Sequence, residues 1–478
     1  MPPPISANRS TSGHPGARLT LLCTLLAALP ASGQRIADKD VDSMVQPLIN
    51  ATYCQGVVVG IIDDTGPRVR GYGSAAEPGG PAPDGDTVFE IGSISKVFTS
   101  LLLADAVERG GVKLDDPVSA YLPPTVHLAV EGRPITLLDL ATHASGLPRL
   151  PSNLSPADSG NPYASYSAAS LYEFLNGWKP SIAPGKQAAY SNLGAGVLGH
   201  VLSLRESSSY EELLLKRIAE PLKMTSTSIA LSDAQRKRLA TPHDSDGEIV
   251  KGWDFTGALV GGGGIRSTAG DMLKFLQAQL QPPEGPLGEA IRLTQQRHGR
   301  FDAQRDIGLA WLIDHRGFVF HNGATGGYHS FAGFSVDRKV AVVVLANDVG
   351  GWSEMAGGRI ICSLIAADPG PLPKPHQPAN LAPTMLDRFT GTYLVGIALL
   401  TIRRDGDRLF AMMTGQPELR IYPESESSCF WKAVDAQVDF TFDPATGKPL
   451  RLTLHQNGRS VVGLRVPTTM PATMPAGG

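Results

Sequence analysis

Six prolines fall within the fifteen residues 369–383 of this 478-residue chain. Proline fixes its own φ, carries no amide proton and restricts the residue before it, so such a run excludes a regular helix and a central strand. It is typical of a stiff, extended linker. The linker divides the chain, and we expect a large domain over residues 34–368 and a small domain over residues 384–466.

The first 33 residues show the order of features found in a secretory signal peptide. Arg9 and Arg18 precede an apolar stretch at residues 19–29, and the small residues 31–33 fit cleavage before Gln34. The apolar stretch is too short to span a bilayer. A buried N-terminal helix is the competing interpretation. We expect a periplasmic or secreted protein with no lipid or transmembrane anchor.

Charge and cysteine content restrict the function classes further. The formal net charge is −3, which lacks the basic excess expected of a protein that binds nucleic acid. Removal of residues 1–33 leaves Cys54, Cys362 and Cys429, an odd number of thiols. Spacing alone does not support a Cys54–Cys362 disulfide, although it leaves one open. We expect three buried free thiols.

Strand patterns lie at both ends of the large region, with helical patterns between them. Strand-like runs occur at residues 57–62 and 69–72 at the start of the large region, and at residues 319–321, 331–335 and 340–346 at its end. This order predicts an α+β fold of the α/β-sandwich type. It has one antiparallel sheet built from both ends, flanked by helices and carrying an inserted helical region.

The region after the linker has a different pattern. Short strand-like runs between Gly391 and His455 are separated by Gly, Asp or Pro turns at roughly even spacing. Such a pattern predicts an all-β meander or a small barrel. The polar and small residues 467–478 are expected to form a disordered tail.

The sharpest chemical signal is Ser93-Ile94-Ser95-Lys96, where a strand-like run meets a helical one. Three residues make about one helical turn, so the Ser93 hydroxyl and the Lys96 amine can share a face. A serine at a helix N-terminus faces free N–H groups, and a desolvated lysine beside it can act as its base. Helix capping by serine also produces this motif, so alone it is weak.

Two further motifs follow at separated positions. Tyr190-Ser191-Asn192 opens a glycine-rich helical pattern. A tyrosine beside a charged lysine can have a lowered pKa and relay protons. An asparagine amide can bind a substrate amide. His321-Asn322-Gly323-Ala324 lies on a predicted strand. There Gly323 permits close approach of a substrate backbone, and the Ala324 N–H can form an oxyanion hole with the Ser93 N–H. A surface turn and a plain glycine-rich hairpin are the respective alternatives.

Together these motifs resemble those of the class C β-lactamase-like serine hydrolases, a group that includes penicillin-binding DD-peptidases and esterases. Further similar blocks are found at residues 89–92, 137–148, 263–272 and 324–333. The resemblance covers about residues 40–366. Residues 381–466 look like the small lipocalin-like β-domain appended to some members.

The resemblance implies roles for individual residues. Ser93 is the acylated nucleophile, and Lys96 and Tyr190 share the acid and base roles. Asn192 orients the substrate amide, His321 and Gly323 line the strand edge, and Ala324 helps hold the oxyanion.

True class C β-lactamases carry Lys-Thr-Gly where this chain has His321-Asn322-Gly323. A mostly neutral histidine attracts a substrate carboxylate less strongly at pH 7. Efficient antibiotic hydrolysis is therefore not expected.

The expected function is that of an exported serine hydrolase acting through an acyl-enzyme. It resembles a D-Ala-D-Ala carboxypeptidase/endopeptidase or a weak β-lactamase. The alternatives are a carboxylesterase for short acyl esters and a non-catalytic penicillin-binding receptor. We expect a small-molecule or peptidoglycan-type peptide substrate, no nucleic-acid partner, no metal and no organic cofactor; the oligomeric state stays open.

Overall fold

The computed structural model describes residues 34–128, 132–155, 158, 160–370, 375–416, 418–456 and 458–466. The predicted signal peptide at residues 1–33 and the predicted tail at residues 467–478 lie outside the described residues, as do residues 371–374 of the linker.

The α-helices are α1 (Asp38–Asn50), α2 (Ser95–Glu108), α3 (Leu137–Ala141), α4 (Ala168–Gly177), α5 (Asn192–Glu206), α6 (Tyr210–Leu214), α7 (Asp233–Arg236), α8 (Ala269–Leu280), α9 (Pro286–Gln295), α10 (Trp352–Leu364) and α11 (Pro383–Leu386). The strands before the linker are β1 (Gly56–Asp63), β2 (Gly66–Gly73), β3 (Val88–Glu90), β4 (Arg266–Thr268), β5 (Gly299–Arg300), β6 (Arg305–Ile307), β7 (Leu312–Asp314), β8 (Phe318–Ala324), β9 (His329–Ser335) and β10 (Val340–Ala346). The strands after the linker are β11 (Gly391–Val395), β12 (Ala398–Asp405), β13 (Arg408–Met413), β14 (Leu419–Pro423), β15 (Ser428–Phe430), β16 (Ala436–Phe442), β17 (Pro449–Gln456) and β18 (Arg459–Arg465).

The main sheet has the strand order β2-β1-β10-β9-β8-β7-β6-β5, and its pairings are antiparallel. The first hairpin of the chain therefore joins the last strand of the large region through the β1–β10 pair. This confirms the prediction of one antiparallel sheet built from both ends, with the helical region between them.

Helices cover both faces of this sheet, which explains why its central strands are apolar throughout. Along β1, Val58 and Ile62 face one core while Val57 and Ile61 face the other. Successive side chains of a strand point to opposite faces, so a strand buried on both sides has no polar alternation. Helix α8 packs on one face and α10 on the other.

The strands after the linker close into an eight-stranded antiparallel barrel, β11 to β18 in sequence order. Its interior holds buried aromatic and aliphatic side chains, among them Phe389, Tyr393, Trp431 and Phe440. A barrel of this strand number is just wide enough for side chains to fill it. The prediction of a small all-β C-terminal barrel is confirmed.

The barrel packs directly against the region that precedes the linker. Phe430 of β15 is fully buried and belongs to the same hydrophobic cluster as Trp352 of α10 and Tyr53. Tyr53 and Trp352 stack with ring centres 4.5 Å apart. The Tyr53 hydroxyl also accepts a hydrogen bond from the backbone N–H of the linker residue His376 at 2.8 Å. The C-terminal half of the linker is therefore held on the protein surface.

Cys54, Cys362 and Cys429 are buried free thiols, as predicted from the sequence. Where the structure describes the chain, no helix combines the length and apolar character needed to cross a membrane. The same residues contain no group of three or more His, Cys, Asp or Glu side chains arranged to hold a metal ion.

Candidate active site

Ser93 lies in a 3-10 turn, Gly92–Ile94, that links strand β3 to helix α2. The turn requires a left-handed φ of +49° at Gly92, which favours glycine. A Cβ on Gly92 would lie 2.7 Å from the backbone N of Ala324. The missing side chain therefore lets the Ser93 turn approach strand β8 closely.

Lys96, in the first turn of α2, is directed at Ser93. Its amine lies 2.8 Å from the Ser93 hydroxyl oxygen and donates to the Gly262 carbonyl at 2.6 Å. The side chain is only 1% exposed. Burial, with a smaller contribution from the positive charge of Arg149, lowers the pKa of Lys96 well below its usual value. A neutral amine at this distance can accept the hydroxyl proton.

Tyr190 lies close to both Ser93 and Lys96. Its ring centre is 4.9 Å from the Lys96 amine and 5.2 Å from the Arg149 guanidinium carbon. Burial raises the pKa of Tyr190 to about 12, although a polar interaction with Ser93 acts in the opposite direction. This differs from the expected lowering by a charged lysine: burial raises the pKa of Tyr190 by more than Ser93 and the charge of Arg149 lower it. The phenol is protonated at neutral pH and can donate a proton.

His321 is buried on β8, with 1% of its surface exposed. Its Nδ1 lies 2.6 Å from the Asn322 carbonyl oxygen. Burial lowers the pKa of His321 to about 3. The imidazole is therefore neutral throughout the physiological range, in agreement with the expected loss of the positive charge that a lysine supplies there.

Gly323 and Ala324 continue β8 beside the Ser93 turn. A Cβ on Gly323 would lie 2.1 Å from the Ile91 carbonyl oxygen and 2.9 Å from the Ser93 N. Glycine at this position thus permits contact with the protein's own backbone. Ala324 is exposed, and β7 pairs with β8 only as far as Phe320. The strand edge at residues 321–324 extends beyond β7.

Asn192 begins helix α5, which the Ser191 hydroxyl caps by accepting from the Gly194 N–H at 2.8 Å. The Asn192 side chain has a polar interaction with the Tyr163 phenol. Its Oδ1 is buried without a hydrogen-bond partner among the described residues. Such an atom normally requires a partner, so it is available to a donor that enters the cleft.

The structure brings all seven sequence-predicted site residues to one region and adds two that the motifs missed. The His143 ring lies 4.6 Å from the Tyr190 ring, and its Nδ1 accepts from the Ser191 N–H at 3.2 Å. Arg149 stacks on Tyr190 from the segment that follows. Both residues lie in or next to the block at residues 137–148, which was the available sequence signal.

Comparisons with known proteins identify the family of the chain. The Beta-lactamase family model matches residues 41–361. A protein named Beta-lactamase from Escherichia coli (strain K12) is 30% identical over 371 residues, which are 69% of this chain and 94% of that protein. The D-alanyl-D-alanine-carboxypeptidase/endopeptidase AmpH of the same organism is 32% identical over 260 residues, which are 54% of this chain and 66% of that protein. The Beta-lactamase of Pseudomonas fluorescens is 28% identical over 64% of this chain and 92% of its own length. The chain belongs to the Beta-lactamase family of serine hydrolases.

Proposed function

We propose that this protein hydrolyses D-Ala-D-Ala-type peptides through an acyl-enzyme formed on Ser93. The observation that carries the proposal is the contact between the Ser93 hydroxyl and a buried Lys96 amine, 2.8 Å apart. Because burial lowers the pKa of Lys96, its neutral form is present to act as base. The relationship to AmpH, named as a carboxypeptidase/endopeptidase, supports the substrate class.

In the proposed acylation step, Lys96 takes the hydroxyl proton while the Ser93 oxygen forms a bond to the substrate carbonyl carbon. The N–H groups of Ser93 and Ala324 stabilise the resulting oxyanion. Tyr190 gives its proton to the leaving amine as the carbon–nitrogen bond breaks, and the Lys96 proton restores the phenol. Water then hydrolyses the acyl-enzyme ester on Ser93. In this step Tyr190 and Lys96 take the water proton and return a proton to the Ser93 oxygen.

The remaining residues hold the substrate in this proposal. The unpartnered Oδ1 of Asn192 accepts from the substrate amide N–H on the acyl side. The edge of β8 at Gly323 and Ala324 receives the substrate backbone as an added strand. His321 borders this edge as a neutral group.

A carboxylesterase acting on short acyl esters is the second candidate. The neutral state of His321 favours it, since this position supplies no cation for a substrate carboxylate. The two candidates share the acyl-enzyme and differ in whether the substrate carries that carboxylate.

Intact-mass measurement after exposure to a fluorescent penicillin or a fluorophosphonate tests the nucleophile. We expect one adduct on the wild-type protein and none on Ser93→Ala; labelling that persists in the variant would contradict the assignment. Turnover of a D-Ala-D-Ala peptide, nitrocefin and p-nitrophenyl butyrate then separates the activities. Hydrolysis of the butyrate alone would favour the esterase. A stable penicillin adduct without turnover of any of the three would favour a receptor.

We also propose that the protein is exported, on the order of features in residues 1–33. A D-Ala-D-Ala substrate would be met outside the cytoplasm. Fractionation of the producing cell, with N-terminal sequencing of the mature protein, tests this. A cytoplasmic protein that keeps residues 1–33 would contradict it.

A further inference from the structure

Arg149 is a cation at the cleft that has no role in the proposed mechanism. Its side chain is exposed, and its guanidinium carbon lies 5.2 Å from the centre of the Tyr190 ring. Among the described residues, no carboxylate lies within ion-pair distance of it. A permanently charged guanidinium stacked on a tyrosine keeps its hydrogen-bonding edge available for a planar anion.

The backbone fixes Arg149 beside Asn192. The Arg149 carbonyl oxygen accepts from the N–H of Asn192 at 3.0 Å and from that of Leu193 at 3.3 Å. These are N–H groups at the start of helix α5 that would otherwise lack an intrahelical partner. The segment carrying Arg149 is thereby tied to the same helix end that presents the Asn192 amide, so the two side chains belong to one wall of the cleft.

Among the described residues, the groups that interact electrostatically with Arg149 are Lys96, Tyr190, Tyr163 and His143, and none of them is a carboxylate. The positive charge of Arg149 contributes to the environment of Lys96, Tyr190 and Tyr163. Tyr163 interacts with Asn192, whose Oδ1 has no partner among the described residues. An anionic group bound here would meet a cation and neutral hydrogen-bonding groups.

We propose that Arg149 binds a carboxylate on the acyl side of the substrate, beyond the amide that Asn192 recognises. The inference rests on the proposed function and narrows its substrate class to acyl donors that carry a negative charge in addition to the scissile bond. It also provides a cation at the cleft even though His321 is neutral. Arg149 is a specificity determinant in this scheme and takes no part in proton transfer.

A matched pair of substrates tests the inference: N-glutaryl-D-alanyl-D-lactate and N-glutaramoyl-D-alanyl-D-lactate. They share the scissile ester, the amide and the terminal carboxylate, and they differ only in a carboxylate or a carboxamide at the end of the acyl chain. The measured quantity is the ratio of their kcat/KM values, from D-lactate release, in wild type, Arg149→Gln and Arg149→Lys. Arg408→Gln, which removes an exposed arginine of the barrel, is the control.

We expect the wild type and Arg408→Gln to prefer the glutaryl substrate. In Arg149→Gln this preference should fall by about tenfold to a hundredfold, mainly through KM, as expected for loss of a charge-assisted hydrogen bond. Arg149→Lys should retain part of it, and the preference should weaken with added salt.

Two results would overturn the inference. One is an equal loss for both substrates in Arg149→Gln, which would indicate a structural role against Tyr190. The other is an unchanged ratio in an active variant. Both leave the acyl-enzyme proposal intact, whereas absence of turnover of either ester by the wild type would overturn the proposed function and this inference together.

Discussion

At the residue scale, the electrostatic state of Lys96 determines whether the site can react. A charged ammonium cannot accept the Ser93 proton, and burial is what disfavours the charge. Lys96→Ala should therefore reduce the acylation rate by about 10²–10⁴-fold, the range for loss of a general base. Stopped-flow acylation by a chromogenic ester measures it, and an unchanged melting temperature separates loss of chemistry from loss of fold.

The pH profile of the wild type gives a further check on Lys96. Acylation should increase with pH as the amine loses its proton, and it should level off well below pH 10.5, because the pKa of Lys96 is lowered. Tyr190, with a pKa of about 12, stays protonated over this range. A rate that continues to increase beyond pH 10.5 would contradict a neutral Lys96 at physiological pH.

Substitution of Gly323 tests how closely strand β8 must approach Ser93. In Gly323→Ala the new Cβ would lie 2.1 Å from the Ile91 carbonyl oxygen, so the strand or the Ser93 turn must shift. We expect destabilisation of about 1–3 kcal/mol and slower acylation. Gly358→Ala, on α10 with open space around the added Cβ, should leave acylation unchanged and should stabilise the protein by about 0.5–1 kcal/mol, because alanine is the better helix former. Urea unfolding and acylation rates of the two variants make the comparison, and equal behaviour would count against close packing at Gly323.

The positions that meet at the candidate site were largely predictable from the sequence, but the direction of the Tyr190 pKa shift was not. Ser93, Lys96 and Tyr190 each belong to a short motif next to a helix start. The Lys96 amine donates a hydrogen bond to the carbonyl of Gly262, 166 residues away, and its burial comes from packed elements. The pKa of a group depends on such distant neighbours, so a local motif suggested a lowered Tyr190 pKa where the fold produces a raised one.

At the element scale, the β3–β4 pair leading to Ser93 depends on a buried ion pair. Arg266 of β4 contacts Glu90 of β3 at 3.2 Å, and Glu90 is 4% exposed. The same guanidinium donates to the carbonyls of Ile229 and Trp253. Two segments outside the pair are thus connected to the strand that precedes the nucleophile.

Arg266→Met should destabilise the protein by about 3–5 kcal/mol, because it leaves the Glu90 charge buried without its cation. The double variant Glu90→Gln/Arg266→Met should recover part of this loss, since the uncompensated charge is removed as well. Guanidinium chloride unfolding of the three proteins measures both effects. A double variant less stable than Arg266→Met would contradict this explanation.

Long elements with strong periodicity were mostly predictable from the sequence, whereas elements with weak or interrupted patterns were not. No helix is predicted over Asp38–Asn50, yet α1 forms there because Val41, Val45 and Leu48 recur at helical spacing and are buried against α10. The short strands β5 to β7 are too brief for a sequence pattern. They form because β8 supplies a sheet edge for them to extend.

At the scale of the whole molecule, the proline-rich segment suggests two independent parts, but the contacts indicate that they are coupled. The Trp352 indole N–H donates to the Lys432 carbonyl, and the Lys432 amine donates to the Thr52 hydroxyl at 2.8 Å. Arg420 of the barrel pairs with Asp246 at 3.0 Å. Proline content predicts a stiff connection but carries no information on which surfaces pack across it, so this interface was outside the reach of the sequence.

Coupling of this kind predicts how the protein unfolds. Trp352 is buried between Tyr53 and the barrel, so Trp352→Ala should remove about 3–5 kcal/mol of packing. We expect one calorimetric transition for the wild type and two for the variant, because the barrel and the sheet each have a separate core as well. Arg408→Ala, at an exposed barrel position, should retain the single transition. Two transitions in the wild type would mean that the linker separates parts that unfold independently.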